Sequence, residues 1–187
     1  MTVKRKPHYI NNKDLFAAMK DYKARVIEWR ASEKENPEVK MPRIPEYIGQ
    51  CFMLIAGKLS KKPNFVNYSY RDEMISDGIE NCIRVWENFD ETKSNNPFAY
   101  FTQIIGFAFI RRIDTEKKQQ YIKIKNVHNS IILGDMYADT DDFNGGTNSI
   151  LDNEVTNDFV RAYENKLTSK KNAIMLGKSA KKSVEPL

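Results

Sequence analysis

Asp72-Glu73-Met74-Ile75-Ser76-Asp77-Gly78-Ile79-Glu80-Asn81-Cys82-Ile83-Arg84-Val85-Trp86-Glu87 decides the fold class. Met74, Ile75, Ile79, Cys82, Ile83 and Trp86 recur at three-to-four spacing, while Asp72, Glu73, Asp77, Glu80, Arg84 and Glu87 fall on the opposite side. That periodicity belongs to an amphipathic helix with an acidic outer face.

Helical patterns continue outward. Upstream, Asn12 precedes Leu15, Phe16, Met19, Tyr22, Val26, Ile27 and Trp29, which predicts a first helix over about 13–33 with Asn12 as its N-cap. Pro37, Pro42 and Pro45 end it, and a greasy second helix begins near Glu46, turning Ile48, Cys51, Phe52, Leu54, Ile55 and Leu59 inward. Downstream, Asn96-Pro97 gives an N-cap followed by proline at the first helical position. The helix so begun is aromatic and apolar from Phe98 to Ile113, then cationic through Arg111, Arg112, Lys117 and Lys118.

Tyr121 to Val127 reads as a short strand or an extended lysine-bearing arm. Residues 126–160 hold seven acids and no Lys or Arg, and Asp139 to Asn148 has the composition of a linker. A short helix over about Asp152 to Leu167 follows, and Lys170, Lys171, Lys178, Lys181 and Lys182 read as a solvated tail. The expected architecture is therefore an all-α bundle of about four helices over residues 1–128, with an acidic linker, a short helix and a basic tail over 129–187.

At 187 residues the chain suits a single domain with tails. Thirty Lys+Arg against twenty-five Asp+Glu give a net charge of +5, which suits an anionic partner. Cys51 and Cys82 sit in apolar helical patterns as free buried thiols, and with His8 and His128 they offer no zinc-ligand spacing. No apolar run follows the basic start, and no stretch has the length of a membrane span, so a cytosolic protein is expected. Neither a nucleophile with a base nor a phosphate-cradling glycine loop is evident, and Gly145-Gly146 lacks the accompanying lysine. The residues thus point to a binding protein that needs no cofactor and catalyses nothing. From physics alone, an acidic helix face beside an aromatic-then-basic helix suits an adaptor between a basic protein surface and distorted DNA, or is simply a solvated face beside a core.

The stretch 73–90 resembles, without a gap, the second conserved region of bacterial sigma factors, sharing its acid-glycine step (Asp77-Gly78) and its closing Phe89-Asp90. Pro97-Phe98-Ala99-Tyr100-Phe101-Thr102 is similar to the segment that opens the DNA-melting helix of that family, with Ile110-Arg111-Arg112-Ile113 in place of its downstream basic part. Tyr9 to Lys13, Met53 to Ala56, Leu59 to Lys61, Asp77 to Glu80, and Asn88-Phe89-Asp90-Glu91-Thr92-Lys93 before Asn96-Pro97 resemble the late-transcription sigma factors of T-even-type bacteriophages.

This resemblance, over residues 9–128, implies a late-gene sigma factor that binds the host RNA polymerase core. It would direct the core to an AT-rich late promoter element and help to open the DNA, in the cytoplasm of the infected bacterial host. Glu73, Ser76, Asp77, Glu80 and Ile83 match positions that dock on the clamp-helices coiled coil of the largest polymerase subunit. Tyr100, Phe101, Thr102, Gln103, Phe107, Arg111, Arg112, Lys117 and Lys118 become the DNA-binding candidates. Tyr100 matches an aromatic that stacks on an unpaired base, an interaction of about 1–3 kcal/mol. Gln103 and Ile104 stand where primary sigma factors carry a tryptophan pair, so the melting wedge is missing or is supplied by Phe101 or Phe107. The phage family extends the partners to the sliding clamp and a co-activator, with Ile174, Met175, Leu176, Val184 and Leu187 as clamp-binding candidates. The alternative is a helical polymerase-binding adaptor or co-activator that does not itself contact DNA.

Overall fold

The structure, a computed structural model, describes residues 9–33, 40–137 and 154–182, and of 131–137 and 176–182 the backbone alone. The regular structure among the described residues is helical, without strands: α1 (Asn12–Glu33), α2 (Glu46–Ser60), α3 (Arg71–Val85) with a turn of 3₁₀ helix at Trp86–Asn88, α4 (Pro97–Tyr137) and α5 (Glu154–Lys182). They divide between Asp114 and Thr115, inside α4, into two compact units.

In the first unit α1, α2, α3 and the first part of α4 enclose one core. Leu15, Met19, Tyr22 and Val26 come from α1, Ile48, Cys51, Phe52, Ile55, Ala56 and Leu59 from α2, Met74 and Cys82 from α3, and Phe101, Ile105, Phe109 and Ile113 from α4. Each large apolar side chain so buried contributes about 1.5–3 kcal/mol relative to exposure. Aromatic rings join the helices: Tyr22 meets Trp86 at 4.5 Å between centroids, and Phe52 meets Phe101 at 4.6 Å. Both cysteines are free and buried. Ile27 and Leu54, expected to face inward, are exposed. Ile27 directly follows core Val26 and Leu54 directly precedes core Ile55, and 100° per residue turns each off the buried stripe.

Gly78 sets the distance between α3 and α4. A Cβ there would lie 2.9 Å from Ile105 Cγ2 and 3.1 Å from Phe109 Cε1, so the bare backbone is what lets the helices approach. The start of α4 is pinned twice. Asn96 Oδ1 accepts from the Ala99 amide at 3.0 Å, the expected N-cap, while Asn12 reaches across from α1. Its Oδ1 accepts from the Phe98 amide at 3.2 Å, and its Nδ2 donates to the Asn95 carbonyl at 3.0 Å. Asn12, expected to cap its own helix, is instead a tie between helices. Asn11 takes the local role by accepting from the Lys13 amide at 3.1 Å.

The second unit contains the rest of α4 and α5. Tyr121 stacks on Tyr163 at 4.8 Å, and Phe159 lies 6.2 Å from Tyr163. Glu164 accepts from the Tyr121 hydroxyl at 3.0 Å and pairs with Lys125 at 2.9 Å. Among its described side chains none is fully buried. This region corrects the sequence reading. Tyr121 to Val127 is helical rather than a strand or arm, because no Gly or Pro occurs between Gly106 and Gly134 to stop α4. Residues 129–137, read as linker, continue that helix. The last helix runs beyond Leu167 to Lys182, so the lysines from Lys170 to Lys182 lie on a helix and not in an extended tail. Asp139 to Asn148 falls outside the described residues. No described helix is long and apolar enough to cross a membrane.

Candidate functional site

Because the core takes Met74, Gly78 and Cys82 from α3, the opposite side of that helix must face solvent. Glu73, Ser76, Glu80 and Ile83 are exposed there, Ile83 to 47%. Glu80 pairs with Arg84 one turn on, and Ser76 Oγ donates to the Asp72 carbonyl at 3.0 Å. Asp77 differs from its neighbours. It sits at the edge of the face, turned toward α4, and its two carboxylate oxygens accept from Arg112 Nε at 2.7 Å and Nη2 at 2.9 Å. Beside it Arg111 Nη2 donates to Asn81 Oδ1 at 3.3 Å, and Asn81 in turn donates to the Asp77 carbonyl at 2.7 Å. Two residues that the resemblance assigns to different sites, Asp77 to polymerase and Arg112 to DNA, are thus partners of one another.

The remaining α4 candidates separate by helical angle. Phe101 is 0% exposed, between Phe52 and Phe89 in the core, so the structure removes it from any surface that meets DNA. The other aromatic offered as a wedge, Phe107, is 60% exposed. Tyr100 is half-buried against Phe89 at 5.3 Å and Phe101 at 5.1 Å, and burial raises its phenol above the usual range. Gln103 is exposed, and Thr102 turns its hydroxyl back to the Phe98 carbonyl at 2.7 Å. Lys117 and Lys118 are exposed and belong to the second unit, as do Ile174 and Met175, both exposed on α5. Leu176 lies on α5 with its side chain outside the described residues, and Val184 and Leu187 are wholly outside them.

The turn between α3 and α4 is built from its own motif. Asp90 Oδ1 accepts from the Thr92 hydroxyl at 2.6 Å and amide at 3.0 Å, and Lys93 Nζ lies 2.9 Å from Oδ2. These bonds, those of Thr92 first, hold the Asp90 carboxyl below the usual carboxylate range. Phe89 closes the turn from below, its carbonyl accepting from Lys23 Nζ at 3.1 Å.

Sequence reading missed Asn81, which bridges Asp77 and Arg111. The i, i+4 spacing of Asp77 and Asn81 was visible, but the partner on α4 was not. Among the described residues no three His, Cys, Asp or Glu side chains gather as metal ligands. No protein-family model matches the chain, and no curated protein matches it.

Proposed function

We propose that the chain is a small late-gene sigma factor of the region-two kind. It binds the host RNA polymerase core through the outer face of α3 and directs the enzyme to an AT-rich promoter element, with α4 toward the DNA. The observation that carries this reading is the α3 face itself. Glu73, Ser76, Glu80 and Ile83 form an exposed, acidic surface with an apolar edge on a helix whose other side is locked into the core. Such a rigid acidic surface suits a basic coiled coil. The resemblance of residues 9–128 supports the same reading, and the sliding clamp and a co-activator remain its proposed further partners, in the cytoplasm of the host. Phosphodiester chemistry belongs to the polymerase.

The second reading, an adaptor or co-activator that binds polymerase without touching DNA, is favoured by a specific observation: Phe101 is buried and both Arg111 and Arg112 bond to α3. Run-off transcription with purified bacterial core on a TATA-type late promoter, with and without this protein, tests the proposal. A promoter-specific transcript that requires the protein is expected. Core binding with neither transcript nor a crosslink from α4 to promoter DNA would favour the adaptor, and absence of core binding would refute both.

A further inference from the structure

Two of the cations that the resemblance offers to DNA, Arg111 and Arg112, are engaged within the first unit. Arg112 holds Asp77 and Arg111 bonds to Asn81; nearby, Arg84 pairs with Glu80, Lys93 with Asp90 and Arg30 with Glu87. The end of α2 gathers several cations without such partners among the described residues. Between Glu46 and Asp72 the chain has no Asp or Glu, and it carries Lys58, Lys61 and Lys62 there. All three are exposed, and among the described residues none of them has a carboxylate partner; Lys58 lies 5.8 Å from the centre of the Tyr9 ring.

The fold places this cationic end beside the exposed stripe of α4. A Cβ at Gly106 would lie 4.0 Å from Leu59 Cδ2, and Phe65, just past the lysines, packs edge-on against Phe109 at 5.2 Å. Exposed Phe107 follows Gly106 in α4 and exposed Lys58 precedes Leu59 in α2, so both flank the contact between the two helices, with Lys61 and Lys62 at the end of α2 just beyond it. Unpaired cations alongside an open aromatic face are what a sequence-tolerant single-strand site requires. We propose that Lys58, Lys61 and Lys62 bind the phosphates of single-stranded DNA while Phe107 stacks on a base. This rests on the DNA-contacting reading above and moves its phosphate contacts from Arg111 and Arg112 to the end of α2. Cations at a helix C-terminus also complement the helix dipole, so fold stability must be followed separately from binding.

The test is fluorescence anisotropy of the full chain with a labelled oligo-dT of about 16 nucleotides, titrated between about 50 mM and about 200 mM salt. Thermal unfolding by circular dichroism accompanies each variant. Replacing Lys58, Lys61 and Lys62 together by glutamine should weaken binding and reduce the slope of log K against log salt by about 2, since each single-strand phosphate contact contributes about 0.7. Lys61→Gln alone should remove about 0.7. Phe107→Ala should weaken binding roughly 5- to 150-fold at every salt concentration with the slope intact. Arg111→Gln with Arg112→Gln should leave the slope unchanged. The proposal is overturned if the unsubstituted protein does not bind the oligonucleotide at the lowest salt, if the lysine variant keeps the full slope, or if the arginine variant is the one that loses it. Core binding measured in parallel decides the sigma-factor reading independently: its absence, with lysine-dependent strand binding retained, would refute that reading and leave this one standing.

Discussion

Arg112 on α4 clasps Asp77 on α3 with two parallel hydrogen bonds of 2.7 and 2.9 Å, the two side chains being 27% and 29% exposed. Planar, bidentate and mostly shielded from water, this pair belongs between the exposed ion pairs that add almost nothing and the buried ones whose rupture is severe. A double-mutant cycle with Asp77→Ala and Arg112→Ala should return a coupling of about 1–2 kcal/mol in urea unfolding. A coupling near zero would show the clasp to be ornamental. One practical consequence is that charge reversal at Asp77 disturbs the α3–α4 contact as well as any docking face. Glu80→Lys, whose partner Arg84 lies on the same helix, is the cleaner probe, and it should weaken core binding while leaving the melting curve in place.

Gly78 should not tolerate alanine. The added methyl meets the branched Ile105 side chain at 2.9 Å, which cannot swing aside within a packed helix, so overpacking costs about 1–3 kcal/mol. Helix propensity returns up to about 1 kcal/mol. A net destabilisation of up to about 2 kcal/mol is expected in chemical denaturation, relieved in part by Ile105→Val. A Gly78→Ala variant as stable as the parent would mean that α3 and α4 separate more easily than their packing implies.

Burial drives the Cys82 thiol up to about 12 and raises Cys51 as well. Because the folded thiol titrates above its ordinary value of 9.0, the stability it contributes is complete below that pH and is lost as pH rises toward the folded value. At neutral pH both native thiols should be nearly silent toward Ellman's reagent and should react fully in denaturant. Rapid native labelling of Cys82 would contradict the packing of α3 against the core.

In the second unit, the Lys125 ammonium and the Tyr121 hydroxyl hold the Glu164 carboxyl below its ordinary 4.5. Its contribution is therefore present above that value and disappears as pH falls through the lower folded one. The Tyr121 and Tyr163 ring resonances should move together through that acid range in the full chain. Glu164→Gln should abolish the movement. Ring shifts that titrate identically in the variant would assign the transition to another carboxylate.

The helices of the first unit and most of their buried faces follow from sequence alone. Apolar residues three and four apart must share a face at 3.6 residues per turn, and Asn96-Pro97 can start a helix by local geometry whatever its surroundings. The acidic side of α3 was legible for the same reason. What sequence could not give was contact between helices: that Asn12 ties down α4 instead of capping α1, that Gly78 sits against Ile105, and that Arg112 turns back onto Asp77. Phe101 and Phe107 look alike in an aromatic run, and only the packing of α2 and α3 around α4 decided that Phe101 is core and Phe107 is surface. Periodicity determines which residues share a face of one helix, but a charge or ring finds its partner across helices, and that depends on how the helices cross.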